Sequence, residues 1–207
     1  KPSAEHLKNI DLMVYDVQDV GCRFYTYIST LHLVMEACAE NNVPLLVLDR
    51  PNPNGDYIAG PVLLTEWKSF VGMDPIPIVH GCTVGELALM INGENWTDTI
   101  PCKLGVIPVL NYNHRTKYEL PVPPSPNLPN YLSVRLYPSL CFFEATTVSV
   151  GRGTDYPFQV LGGLQKNLGE FRFTPVDKPG AAIDPLNENK PCYGVDLRNL
   201  TEVPRFT

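Results

Sequence analysis

Glu144 stands at the end of an apolar run, Cys141-Phe142-Phe143, and hydroxyl residues follow it. Then come Gly151-Arg152-Gly153 and a second carboxylate, Asp155. A strand that delivers an acid to a glycine-loosened polar loop suits proton transfer in a cleft. Apolar neighbours such as Phe142 and Phe143 raise the pKa of a carboxyl toward its protonated, donating form. Glycoside cleavage commonly needs one such acid and a second carboxylate as base or nucleophile. Asp19 or Asp155 supplies the second. The competing reading is structural: a strand running into a surface loop, with Glu144 and Arg152 paired across it.

Other chemistries lack their residues. Four scattered histidines show no metal-ligand spacing. The six cysteines (22, 38, 82, 102, 141 and 192) contain no C-x-x-C pair, and a Cys102–Cys192 disulfide is one open pairing. There is no G-x-S-x-G elbow, no Walker loop and no G-x-G-x-x-G after the first strand. No metal or organic cofactor is expected. Carboxylates, amides, arginines and tyrosines remain, and these are the equipment of a carbohydrate site.

The elements that position them begin with Asn9 to Val17, a β-rich apolar strand that runs into the polar turn Gln18-Asp19-Val20-Gly21. Ile28, Leu31, Met35 and Cys38 then follow helical spacing until Asn41-Asn42 stops the helix. Val43 to Leu48 is a second strand, ending in Asp49-Arg50-Pro51-Asn52-Pro53-Asn54-Gly55. Strand, helix, strand is a βαβ unit, which predicts a parallel, helix-covered sheet. Ligands of open parallel sheets bind outside the carboxyl ends of the strands. Asp16, Gln18, Asp19 and Arg23 sit at one such end, and Asp49, Arg50, Asn52 and Asn54 at the other. Local Asp–Arg pairs and a plain turn are the structural alternatives.

Farther on, Thr83 and Glu86 form a capping box, which gives Glu86 a structural task. His80 just before it is a ligand or proton-donor candidate. Lys103 to Leu110 is a further strand. Leu120 to Pro129 is held extended by its prolines, as a wall presenting Ser125 and Asn127 or as a linker. Phe171 to Phe173 and Cys192 to Leu197 read as late strands, and composition shifts near residue 160. The fold class is therefore α/β: a parallel sheet with flanking helices over residues 1–160, plus a small proline-rich C-terminal portion over 161–207.

Composition narrows the partners. The 207 residues carry a net charge of −6 and no basic run, which argues against nucleic acid or an anionic membrane surface. No stretch reaches the roughly 18 apolar residues that span a bilayer, so no membrane insertion is expected. The oligomeric state is not legible. The chain begins at Lys1, as a mature, trimmed or partial product would.

Six runs occur in order: DVQDVGCRFYTYIST, VLDRPNPNG, SFVG, HGCTVGELA, PPSPNLP and FFEATTVSVGRGTDYPF. Together they resemble the NamZ-like exo-β-N-acetylmuramidase family, over about residues 5–200. The resemblance implies a Rossmann-like domain with an auxiliary portion. It also implies hydrolysis of terminal β-linked N-acetylmuramic acid from peptidoglycan-derived muramyl glycans, outside the cytoplasm (periplasmic or secreted). On this reading Glu144 is the acid and Asp19 its partner. Arg23, Tyr25, Asp49, Arg50, Asn52, His80, Ser125, Asn127, Ser149, Arg152 and Asp155 bind the sugar. Arg152 or Arg23 would pair with the lactyl carboxylate. Family members carry an upstream Pro-Glu-His-Gly motif whose glutamate is a candidate catalytic residue, and this chain starts after it. Ala145 stands where the family often has glycine. A carbohydrate-binding module without turnover, or an inactive fragment of such an enzyme, is the alternative from another class.

Overall fold

The computed structural model describes residues 1–98 and 100–206. Their contacts divide them into two units, Lys1–Tyr118 and Glu119–Thr207.

The first unit is built on a parallel sheet of β1 (Met13–Tyr15), β2 (Leu45–Leu48) and β3 (Leu104–Ile107), in that order. The register sets Tyr15 beside Val47 and Val47 beside Val106. Because side chains alternate along a strand, Tyr15, Leu45 and Val47 enter one core. Val14 and Ile107, of opposite parity, stay about half exposed at 48% and 52%. The expected sheet is present, with one face buried and the other partly open.

A short helix α1 (Ala4–Leu7) is capped by Ser3. The longer helices α2 (Tyr27–Glu40) and α3 (Val84–Gly93) share the core cluster with the strands through Leu31, Met35, Leu87 and Ile91. Asn42 ends α2 in the left-handed region at φ 57°. There the Val43 amide bonds back to Cys38 and that of Asn42 to Ala39, which satisfies two terminal carbonyls in a Schellman motif. At the start of α3 the Thr83–Glu86 capping box forms as expected.

The second unit opens with α4 (Tyr131–Leu140), capped by Asn130 and Ser133. Cys141–Ala145 then continues as a 3-10 helix. This replaces the strand expected before Glu144. None of Cys141–Ala145 is buried, and Phe142 remains 48% exposed. Three antiparallel strands follow: β4 (Val160–Gly163), β5 (Phe171–Phe173) and β6 (Cys192–Asp196), with β6 in the middle. The composition shift near 160 falls inside this unit, where Ser149 and Gly162 exchange backbone hydrogen bonds at 2.7 and 3.0 Å. Cys102 and Cys192 are free thiols in different units, so the disulfide considered from sequence is absent. Among the described residues no helix is long and apolar enough to cross a membrane.

Candidate functional site

At the strand ends of the first unit, most of the expected sugar-binding side chains are engaged in holding loops. Asp49 accepts hydrogen bonds from the amides of Arg50 (3.0 Å) and Gly85 (2.7 Å) and from the Thr83 hydroxyl (2.8 Å). Its carboxylate thus sits on the N-terminus of α3, where the unpaired amides and the helix dipole favour negative charge. Gly85 permits this approach: a Cβ there would lie 2.7 Å from both Asp49 Cγ and Val106 Cγ1. Arg50 pairs with Asp16 at 2.6 Å in an exposed setting.

Asn52 donates to the Cys82 carbonyl and accepts from the Asn54 amide, both at 2.8 Å. The Arg23 guanidinium donates to the carbonyls of Pro61 (2.8 Å) and Ile76 (2.5 Å). Burial lowers its pKa. Tyr25 is buried edge-on to Tyr27, with ring centroids 4.9 Å apart, and burial raises its phenol.

Asp19 is different. Its Oδ2 accepts from the Gly21 amide at 2.7 Å and lies 3.3 Å from His80 Nε2. Its Oδ1 is buried with no hydrogen-bond partner, and His80 Nε2 finds no aligned one. Burial acts to lower the His80 pKa, but Asp19 and Cys82 outweigh it and raise the ring to about 9. Charging the ring gives up only the long, 3.3 Å bond from the Cys82 amide to Nδ1. Sequence reasoning missed a second buried pair, His32 Nδ1 to Asp74 Oδ1 at 2.7 Å. The available signal was a histidine on the helical stripe that includes Ile28, Leu31 and Met35.

The second unit gathers the other candidates around a cavity of about 350 Å³, bordered by Glu144, Ser149, Arg152 and the loop from Ala181 to Leu186. Glu144 accepts from Arg152 Nε and, at 3.3 Å, from the Cys141 thiol. Burial and the Glu144 charge push that thiol up to about 12, so it remains a donor. The Arg152 guanidinium also lies over the Phe158 ring, 5.0 Å from its centroid. Positive φ at Gly151 and Gly153 (83° and 81°) turns the chain so that Arg152 projects between them.

Ser149 Oγ accepts from the Gly151 amide at 3.2 Å. Ser125 accepts from the Asn127 amide at 3.2 Å, and Asn127 donates to the Ala181 carbonyl at 2.6 Å, bracing the same loop. Asp155 does not border the cavity; it is exposed and paired with Lys178, which holds its carboxyl below the usual range. Asp19 and Glu144 belong to different units. Among the described residues, no group of three or more His, Cys, Asp or Glu side chains is arranged to hold a metal.

Residues 1–132 match the family model described as exo-β-N-acetylmuramidase NamZ, N-terminal, and residues 135–207 match its C-terminal counterpart. The chain belongs to the NamZ family. It is 41% identical over 212 residues to the peptidoglycan β-N-acetylmuramidase NamZ of Bacillus subtilis strain 168, covering 95% of this chain and 50% of that protein. Two solved DUF1343 family proteins from Bacteroides fragilis share the fold. One superposes with a TM-score of 0.92 at 53% identity, over 97% of this chain and 57% of the other. The second gives 0.83 at 35% identity, over 95% and 55%. The chain thus spans about half the length of the curated relative it matches. The two NamZ segments meet near residue 133, whereas the contacts part at 118; Asn127, in the stretch between, bonds into the loop at Ala181.

Proposed function

We propose that this NamZ chain carries part of a glycosidase that releases terminal β-linked N-acetylmuramic acid from peptidoglycan fragments. The observation that carries the reading is Glu144, a carboxylate oriented by Arg152 and Cys141 at the edge of a cavity of ligand size. Kinship with a peptidoglycan β-N-acetylmuramidase supports the choice of substrate. In this reading Glu144 exchanges a proton with the glycosidic oxygen. The substrate polymer lies outside the cytoplasm, and so does the proposed place of action.

The test is release of N-acetylmuramic acid from a short muramyl-terminated glycan by this chain, by Glu144→Gln and by Asp19→Asn. Turnover that falls at least about 100-fold in Glu144→Gln, the lower range for a general acid, supports the assignment. Undiminished turnover in that variant removes Glu144 from the mechanism. A second reading, sugar binding without turnover, is favoured by the burial of Asp19, only 4% exposed. Binding by all three proteins with no release would establish it.

A further inference from the structure

The cavity at Glu144 has a charge balance that suits an uncharged sugar better than a carboxylate-bearing one. Glu144 and Arg152 neutralise each other, and Asp184 on the opposite loop adds a second carboxylate, which leaves the lining one negative charge in excess. Glu144 engages Nε of Arg152. Among the described residues the terminal guanidinium nitrogens carry no hydrogen bond, and the guanidinium carbon lies 5.0 Å from the Phe158 ring centroid. Val150, Ile183 and Leu186 supply apolar wall. At about 350 Å³ the space lies at the small end of ligand pockets, enough for one sugar residue rather than a chain. Arg23, the other guanidinium considered for the lactyl carboxylate, is already occupied by two backbone carbonyls.

We propose that this cavity takes an uncharged N-acetylhexosamine unit of the glycan, and not the lactyl-bearing residue. The inference rests on the glycosidase reading for the identity of the polymer. The guanidinium donates to the acetamido carbonyl, the Asp184 carboxylate accepts from a ring hydroxyl, and the aliphatic wall covers the acetamido methyl. A lactyl carboxylate in the same place meets Asp184 with like charge, in a setting that screens less than water does.

The experiment titrates N-acetylglucosamine and N-acetylmuramic acid into the isotopically labelled chain, with amide shifts as the readout. The expected result is that N-acetylglucosamine moves residues 148–153 and 181–186. N-acetylmuramic acid is expected to bind there about 10-fold more weakly, the scale of one unfavourable charge contact. Asp184→Asn narrows that gap, and asparagine tolerates the positive φ of 48° at this position. Ile183→Trp fills the mouth and abolishes the shifts; Ile183 is 74% exposed, so the core is untouched. Tighter or equal binding of N-acetylmuramic acid overturns the proposal, as do shifts that lie elsewhere or are absent. Muramyl release measured on the same samples separates the two ideas. Release without shifts at these residues leaves the glycosidase reading standing and removes the pocket assignment. Shifts here without release do the reverse.

Discussion

His32 Nδ1 and Asp74 Oδ1 meet at 2.7 Å with side chains only 3% and 1% exposed, pinning the segment before His80 to helix α2. A pair so dry is costly to break singly, since the survivor is left as an uncompensated buried charge or polar group. His32→Leu or Asp74→Leu alone is expected to destabilise the chain by about 3–5 kcal/mol. The double replacement, which removes both groups together, should recover most of that loss. Urea unfolding of the three variants checks this; additive losses would show that the two residues do not act as a pair.

The Asp19–His80 pair gives stability a pH dependence of known sign. His80 has a folded pKa of about 9 against an ordinary value of 6.5. Its contribution is therefore fully present below about pH 6.5 and is lost as pH rises through about 9. The total change is on the order of 3 kcal/mol at most. Unfolding midpoints between pH 6 and 9.5 should fall for the native chain and stay flatter for Asp19→Asn. Equal slopes in both would sink the coupling.

Asp49 was a sugar-binding candidate, yet it bonds the first turn of α3 through the Gly85 amide and the Thr83 hydroxyl. Asp49→Ala is expected to lower stability by about 1–2 kcal/mol, the upper range for loss of a helix cap. Gly85→Ala should cost a similar 1–3 kcal/mol by overpacking against Asp49 and Val106. Differential scanning calorimetry reads both. A variant of Asp49 with native melting temperature and weakened sugar binding would restore the ligand role.

The parallel sheet, helix α2 and the Thr83 cap that opens α3 were legible because each rests on local signals: short β-rich apolar runs, period-3.6 apolar spacing and a capping pair three residues apart. The segment before Glu144 was misread for the same reason. A three-residue apolar run fits a strand or a helical turn equally well, and α4 simply continued into it. Its apolar neighbours do not enclose Glu144, whose side chain is 30% exposed and held by Arg152. The ion pair weighed for Glu144 and Arg152 is present.

By itself the sequence determined the α/β class, the family kinship and the set of polar residues at strand ends. Only the tertiary structure decided which of those side chains were left with unsatisfied chemistry. Hydrogen-bond capacity is a property of a residue type, but its use depends on neighbours brought from far along the chain. Arg23 reaches Ile76, Asp49 reaches Gly85 and Asn127 reaches Ala181. Among Asp16, Asp19 and Asp49, Asp19 keeps a buried oxygen without a hydrogen-bond partner: His80 and the Gly21 amide lie beside Oδ2, and no donor reaches Oδ1. That distinction arises from packing, which local spacing does not encode.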